Sequence, residues 1–251
     1  MSDLVVYAND GPAAVVTINR PDKRNALSRD LIAALGDAFA RAAADDSRCV
    51  ILTGNGPAFC AGMDLDELRG TLGDDADKVW NDANTLSALY EQIYTLPKPT
   101  IAAVNGAAVA GGCGLVTVCD LAVSAQTAQF GYPEVRRGLV AAMVMPHLLR
   151  HVGERAARYL LLTGELIDAL TAVRIGMVNG MCSGDTLLGA ARAWAKKLAE
   201  GGPKALAKTK ELLRDVPSVG DLAKASAEPR LTDECRGGLT AFFEKRPAPW
   251  V

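Results

Sequence analysis

Histidine is scarce: His147 and His151 are the two in 251 residues. A Ser-His hydrolase needs a nucleophile on a tight strand-to-helix turn, and neither Ser124 nor Ser183 sits in such a context, so that class is disfavoured. The two imidazoles stand at i, i+4, but no Glu or Cys lies at companion spacing, and a zinc site is rejected. No CxxC pair occurs among Cys49, Cys60, Cys113, Cys119, Cys182 and Cys235. Their mostly apolar neighbours predict buried free thiols in a reducing cytoplasm rather than a disulfide framework. Basic runs interleaved with aromatics are also missing, and 27 Lys and Arg against 29 Asp and Glu leave a net charge of −2, which speaks against a nucleic-acid partner. There is no GxxxxGK[ST], and Gly54-Asn55-Gly56 meets Phe59 where a dinucleotide fingerprint needs its third glycine. The start MSDLVVYAND has no basic, then apolar, leader pattern, so a cytoplasmic location is expected. The longest apolar run, from Ile101 to Val118, is broken by Asn105 and glycines, so no membrane span is expected.

What the chain does have is apolar residues, at 49%, enough for a sizeable core. Its organising stretch is Ile101 to Asp120, IAAVNGAAVAGGCGLVTVCD. A strand-type run breaks at Asn105-Gly106, passes Ala110-Gly111-Gly112-Cys113-Gly114 and enters a buried helix at Leu115. Glycines there let a ligand approach the main chain, and the first helical turn offers unpaired N–H groups to negative charge.

Before it, Leu4–Tyr7 and Ala13–Asn19 read as a hairpin, and Ser28 as the N-cap of a helix through Leu31, Leu35 and Phe39. Cys49–Thr53 reads as a strand running into a second small-residue stretch, Asn55 to Leu65. The polar segment TLGDDADKVWND after Gly70 reads as a surface loop or lid, followed by a helix from Thr85 to Leu96. After it, Asp120–Ser124 reads as a strand and Phe130 to Glu134 as a turn holding a carboxylate. Helices are expected at 143–152, 155–162 and 169–175, with a strand-like piece at 176–179 and a helical last third. Strand-strand-helix grammar thus recurs about three times, at 4–44, 49–96 and 101–162, without a fixed period.

FCAGMDL (Phe59 to Leu65), VNGAAVAGGCGL (Val104 to Leu115), FGYPEVRRGL (Phe130 to Leu139) and AFFEKR (Ala241 to Arg246), in that order, resemble the enoyl-CoA hydratase/isomerase family, the crotonase superfamily. The resemblance implies an α/β (α+β) spiral of ββα units carrying an acyl-CoA site over 1–195. It also implies a helical trimerisation region over 196–251 and a homotrimer or dimer of trimers. It implies a soluble acyl-CoA-processing enzyme of fatty acid metabolism, with no permanently bound cofactor and coenzyme A entering as part of the substrate thioester.

Such chemistry runs through an enolate, so charge growing on the thioester oxygen must be stabilised more than the resting carbonyl. By motif position the donors are the backbone N–H groups of Met63 and Gly111, and Glu134 is the general acid/base, its pKa raised by partial desolvation. Lys23 and Arg24 match a phosphate-side region, Ala61 and Leu65 the adenine-side backbone, and Phe242 and Lys245 residues lent by a neighbouring subunit. Where the hydratases carry a second catalytic glutamate this chain has Gly114. One base suffices to move a proton between carbons, so the departure leans towards isomerisation, or towards hydration helped by Asp64, Asp66, Glu67 or the 70–84 segment. The alternative is a non-catalytic acyl-CoA-binding paralogue.

Overall fold

The computed structural model describes residues 3–71, 76–215 and 219–251. Strand-strand-helix units follow one another along the chain. β1 (Val5–Asp10) and β2 (Ala13–Ile18) form the antiparallel hairpin and lead to α1 (Arg29–Ala44). Ser28 caps α1 as expected, its Oγ accepting from the Leu31 N–H at 3.2 Å. β3 (Cys49–Gly54) and β4 (Ala58–Cys60) lead to the short α2 (Leu65–Gly70) and to α3 (Ala76–Thr95). β5 (Thr100–Val104) and β6 (Ala107–Val109) lead to α4 (Gly111–Thr117). β7 (Leu121–Ala125) and β8 (Gln129–Gly131) lead to α5 (Met145–Thr163). The spiral is borne out, with a correction: the unit read at 101–162 is two units, because α4 is short and the chain restarts at β7.

The remainder comprises β9 (Leu166–Asp168), α6 (Ala169–Arg174), β10 (Gly180–Cys182), α7 (Leu187–Ala199), α8 (Pro203–Arg214), α9 (Val219–Ala227) and α10 (Asp233–Phe243). The two helices read at 143–152 and 155–162 are borne out as the two arms of α5, which meet at Gly153, whose φ of 70° and ψ of 167° break the helical path. The strand-like reading at 176–179 is corrected: Gly176 turns at φ 82°, and the strand is β10, parallel to β7. The loop or lid read at 71–82 is corrected for its second half. Positions 76–82 are the first turns of α3, and 72–75 lie outside the described residues. Leu86, Leu89, Tyr90 and Ile93 anchor the buried half of α3, and a helix once nucleated extends through a polar start at little cost.

A six-stranded sheet runs in the order β1-β2-β3-β5-β7-β10. β3 and β5 are buried on both faces, which a parallel sheet requires. Alternation assigns the faces. Cys49, Ile51, Ile101 and Ala103 pack with Leu187, Ala191 and Ala195 of α7. Val50, Leu52, Ala102 and Val104 pack with Leu35 of α1, Leu86 of α3 and Leu115 of α4. The division drawn at 195/196 falls inside α7, whose inward face belongs to the core. The chain's end is tied to the spiral by Arg48, whose guanidinium donates to the carbonyls of Ala199 (3.3 Å), Gly201 (2.6 Å) and Trp250 (2.7 Å). Among the described residues no helix is long and apolar enough to cross a membrane.

A second sheet, β4-β6-β8-β9, positions the site. β4, β6 and β8 run parallel, so the segments leaving Cys60, Val109 and Gly131 emerge at one edge. The carboxyl end of parallel strands is where open α/β sheets bind ligands.

Candidate active site

From that edge come Ala61-Gly62-Met63, Ala110-Gly111 and Tyr132-Pro133-Glu134. The first two pack backbone against backbone. A Cβ on Gly112 would lie 2.1 Å from the Cys60 carbonyl oxygen, and one on Gly62 would lie 2.9 Å from the Val109 oxygen and 3.3 Å from the Gly111 nitrogen. Gly62 also has φ 87°, so both space and backbone require glycine.

Met63 pairs with Leu27 as an isolated parallel bridge, in which the Leu27 N–H donates to the Gly62 carbonyl at 2.8 Å and the Asp64 N–H donates to the Leu27 carbonyl at 2.9 Å. Successive amides of an extended segment face opposite sides, so the Met63 N–H points away from Leu27. Asp64 holds the next turn, accepting from the N–H groups of Asp66 (2.9 Å) and Glu67 (3.4 Å) and from Arg20 Nη1 (2.5 Å). Arg20 keeps the Asp64 carboxyl below its ordinary range.

Gly111 opens α4. The preceding Ala110 donates its N–H to the Gly131 carbonyl (2.8 Å) and accepts from the Gly114 N–H (3.2 Å). Ala110 adopts φ 53° and ψ −122°, a region L-residues avoid. Among the described residues, the N–H groups of Met63 and Gly111 donate to no acceptor in the chain. α4 has only seven residues, so these local amides, more than a helix dipole, supply the positive field. The strain at Ala110 predicts that Ala110→Gly stabilises the fold. Relief of about 1–3 kcal/mol against about 0.4–1 kcal/mol of extra unfolded-state entropy leaves roughly 1 kcal/mol, read as a higher urea midpoint.

Met63, Gly111 and Glu134 line one cavity of about 220 Å³, with Ala61 and Leu65 on the same wall. Leu86 and Tyr90 of α3 and Leu139, Val140, Met143 and Val144 beyond Glu134 make it mainly apolar. Glu134 Oε2 is buried without a hydrogen-bond partner. Burial pushes the carboxyl above its ordinary pKa, opposed by a bond from its own backbone N–H and by the Arg137 charge. A half-buried carboxyl of raised pKa, with one oxygen lacking a partner, in an apolar cavity is suited to acid/base exchange with a bound substrate.

The other expected residues are distributed as follows. The Arg24 carbonyl receives the Ala61 N–H at 3.0 Å, which joins the 20–25 loop to the cavity rim, while Lys23 reaches Asp66 at 3.3 Å on the exposed surface. Phe242 and Lys245 are not among the cavity's lining residues, and Phe242 is 75% exposed. Asp64, Asp66 and Glu67 are absent from that lining as well. Asp64 is held as described, Asp66 faces Lys23 and Arg69, and Glu67 accepts the Arg29 N–H at 2.9 Å. His147 meets Tyr94 edge to face with ring centroids 4.7 Å apart, and His151 Nε2 lies 2.9 Å from the Thr117 carbonyl.

Tyr90 is the residue the sequence reading missed. Its ring is 2% exposed, and its hydroxyl donates to the Gly111 carbonyl at 2.8 Å. Gly114 lies behind it: a Cβ there would stand 2.5 Å from Val144 Cγ1 and 2.6 Å from Tyr90 Oη. The space in which a second carboxylate would stand is filled by a phenol and a valine. At helical spacing on α3, Tyr90 reads as one more core aromatic, so no sequence signal singles it out.

The sequence profile of the enoyl-CoA hydratase/isomerase family matches residues 9–251. A relative from Thermus thermophilus, provisionally named an enoyl-CoA hydratase, is 43% identical over 97% of this chain and 99% of its own. The 2,3-dehydroadipyl-CoA hydratase of Escherichia coli is 35% identical over 98% and 97%. Among solved structures, an enoyl-CoA hydratase of Mycobacterium smegmatis superposes with a TM-score of 0.92 at 33% identity, covering 99% of each chain.

Proposed function

The chain belongs to the enoyl-CoA hydratase/isomerase family, and we propose that its cavity holds an enoyl-CoA thioester with the carbonyl oxygen between the amides of Met63 and Gly111. The observation that supports this reading is that Met63 and Gly111, whose N–H groups meet no acceptor in the chain among the described residues, and Glu134, whose Oε2 is buried without a partner, line one cavity. Removing one donor of such a pair typically costs about 3 kcal/mol of transition-state stabilisation, so the amides rival any side chain.

In the proposed step the Glu134 carboxylate removes a proton from the α-carbon of a 3-enoyl thioester. Charge moves onto the oxygen held by the two amides, and Glu134 returns the proton to the γ-carbon, leaving the 2-enoyl product. Nothing is gained or lost overall. Adding water would ask Glu134 to position and deprotonate the nucleophile alone, because Gly114 offers no carboxylate and Tyr90 and Val144 close its space. That supports one-base proton transfer over hydration, although the relatives described above are named hydratases. The deciding experiment incubates the protein with 2-enoyl- and 3-enoyl-CoA and weighs the products. Isomerisation leaves mass unchanged, whereas addition of one water overturns the isomerase reading and keeps the enolate one. A chain that binds saturated acyl-CoA but converts neither compound is the non-catalytic paralogue.

Coenzyme A is proposed to lie along the Arg24–Ala61 rim, with its phosphates towards Lys23 and Arg24. The exposed Leu231, Leu239, Phe242 and Phe243 at the chain's end favour assembly with further copies, through which Phe242 and Lys245 would reach a neighbouring site.

Arg137 lines the cavity and its charge holds the Glu134 pKa down. Arg137→Gln is therefore expected to raise that pKa. The acid limb of kcat/KM, which falls as Glu134 takes up a proton, should move to higher pH. Salt should shrink the difference between variant and wild type, because the arginine is exposed.

A further inference from the structure

We propose that Tyr90 is a positioning residue for the proposed enolate site, acting through its hydrogen bond to the Gly111 carbonyl. The inference rests on the enolate reading of the cavity. Gly111 carries one of the two proposed donors, and glycine is the residue with the widest choice of backbone conformations. Its upstream side is held by Ala110, bonded at both its N–H and its carbonyl. Its downstream side is held by the Tyr90 hydroxyl at 2.8 Å. The fit is close: a Cβ on Gly111 would lie 3.0 Å from Tyr90 Oη, so the phenol would have to give by a few tenths of an ångström.

Tyr90 acts as a neutral group. Burial, with the nearby Cys60 and Glu134, pushes its hydroxyl well above the ordinary phenol pKa, so it stays protonated and keeps donating to the Gly111 carbonyl. It neither replaces the missing carboxylate as a base nor takes part in the proton transfer. It fixes the peptide that follows the donor, and with it the backbone path out of Gly111, beside the space a second glutamate would need.

The test uses Tyr90→Phe, which keeps the ring and removes the hydroxyl, and two ligands of the full-length protein. Butyryl-CoA reports ground-state thioester binding. Acetoacetyl-CoA ionises to an enolate with its own near-ultraviolet band, so the fraction ionised when bound reports how well the amides stabilise the oxyanion. Loss of one hydrogen bond that holds a donor in place is expected to lower the bound enolate-to-keto ratio roughly three- to tenfold. Butyryl-CoA affinity should stay within about twofold of wild type, a difference worth only ~0.4 kcal/mol. An unchanged ratio in a variant with native near-ultraviolet circular dichroism overturns the inference and leaves the enolate reading standing. An equal loss of butyryl-CoA binding also overturns it, because the phenol would then be supporting the cavity wall in general. Should the wild type itself bind acetoacetyl-CoA without ionising it, the enolate reading falls and this inference with it.

Discussion

Glu134→Gln is expected to lower turnover of enoyl-CoA by about 10²- to 10⁴-fold, the span usual for a lost general acid/base, while acyl-CoA binding persists. The amide keeps the shape of the carboxyl and cannot exchange the proton. The same substitution should stabilise the fold at neutral pH. Burial raises the folded-state pKa of Glu134 above its unfolded value, so the native state holds the proton more tightly. The stability this adds is fully present below the unfolded pKa and is lost as pH rises through the folded one. Above that window the wild type carries a half-buried charge, one oxygen of which has no partner, that the glutamine variant lacks. Thermal melts should thus separate most at alkaline pH, with the variant higher, and converge towards acid. A variant that turns over enoyl-CoA at the wild-type rate removes Glu134 from the mechanism. A melting difference that grows towards acid instead removes the burial argument.

The pairing of lost activity with gained stability follows from how the site is built. The large sheet was legible in the sequence because β3 and β5 are continuous apolar runs bounded by turns, and α1 because Ser28 and the spacing of Leu31, Leu35 and Phe39 agree. The small sheet was not legible. β4, β6, β8 and β9 have three residues each, too few to display a period of two. Yet it is this sheet that brings Gly62, Gly111 and Glu134 to one edge. The resemblance supplied what periodicity could not, since FCAGMDL and VNGAAVAGGCGL mark the segments that leave β4 and β6. The start of α3 escaped because residues 76–82 are polar, and only the distant burial of Leu86, Leu89, Tyr90 and Ile93 makes them helical. Tyr90 escaped for the reverse reason, being an ordinary core residue by pattern with an unusual hydroxyl partner. Gly114 was visible as a departure, but its physical cause lay in two side chains far away in sequence.

That cause gives the other large effect its sign. In a helix, glycine to alanine ordinarily stabilises by about 1 kcal/mol, and Gly114 lies within α4. Here the added methyl would stand 2.5 Å from Val144 Cγ1 and 2.6–2.7 Å from Tyr90 Oη and Cζ. Neither neighbour withdraws without cost, since both are buried, Tyr90 at 2% and Val144 at 4% exposure, and the Tyr90 hydroxyl is tied to the Gly111 carbonyl. Overpacking of this kind costs about 1–3 kcal/mol, so Gly114→Ala is expected to destabilise despite the helix preference. Gly114→Glu, which restores the carboxyl that the hydratase pattern calls for, should do worse. It adds the overpacking to about 1–3 kcal/mol for a buried polar group without a partner, and it sets a second acid beside Glu134. Urea unfolding should show the order wild type, Gly114→Ala, Gly114→Glu in falling stability. The glutamate variant should also add no more water to 2-enoyl-CoA than the wild type does, because displacing Tyr90 frees the Gly111 carbonyl that the phenol holds. If Gly114→Ala proves as stable as the wild type, or Gly114→Glu gains hydration, then the phenol and valine are not a fixed wall. The lean towards one-base chemistry would then lose its structural ground.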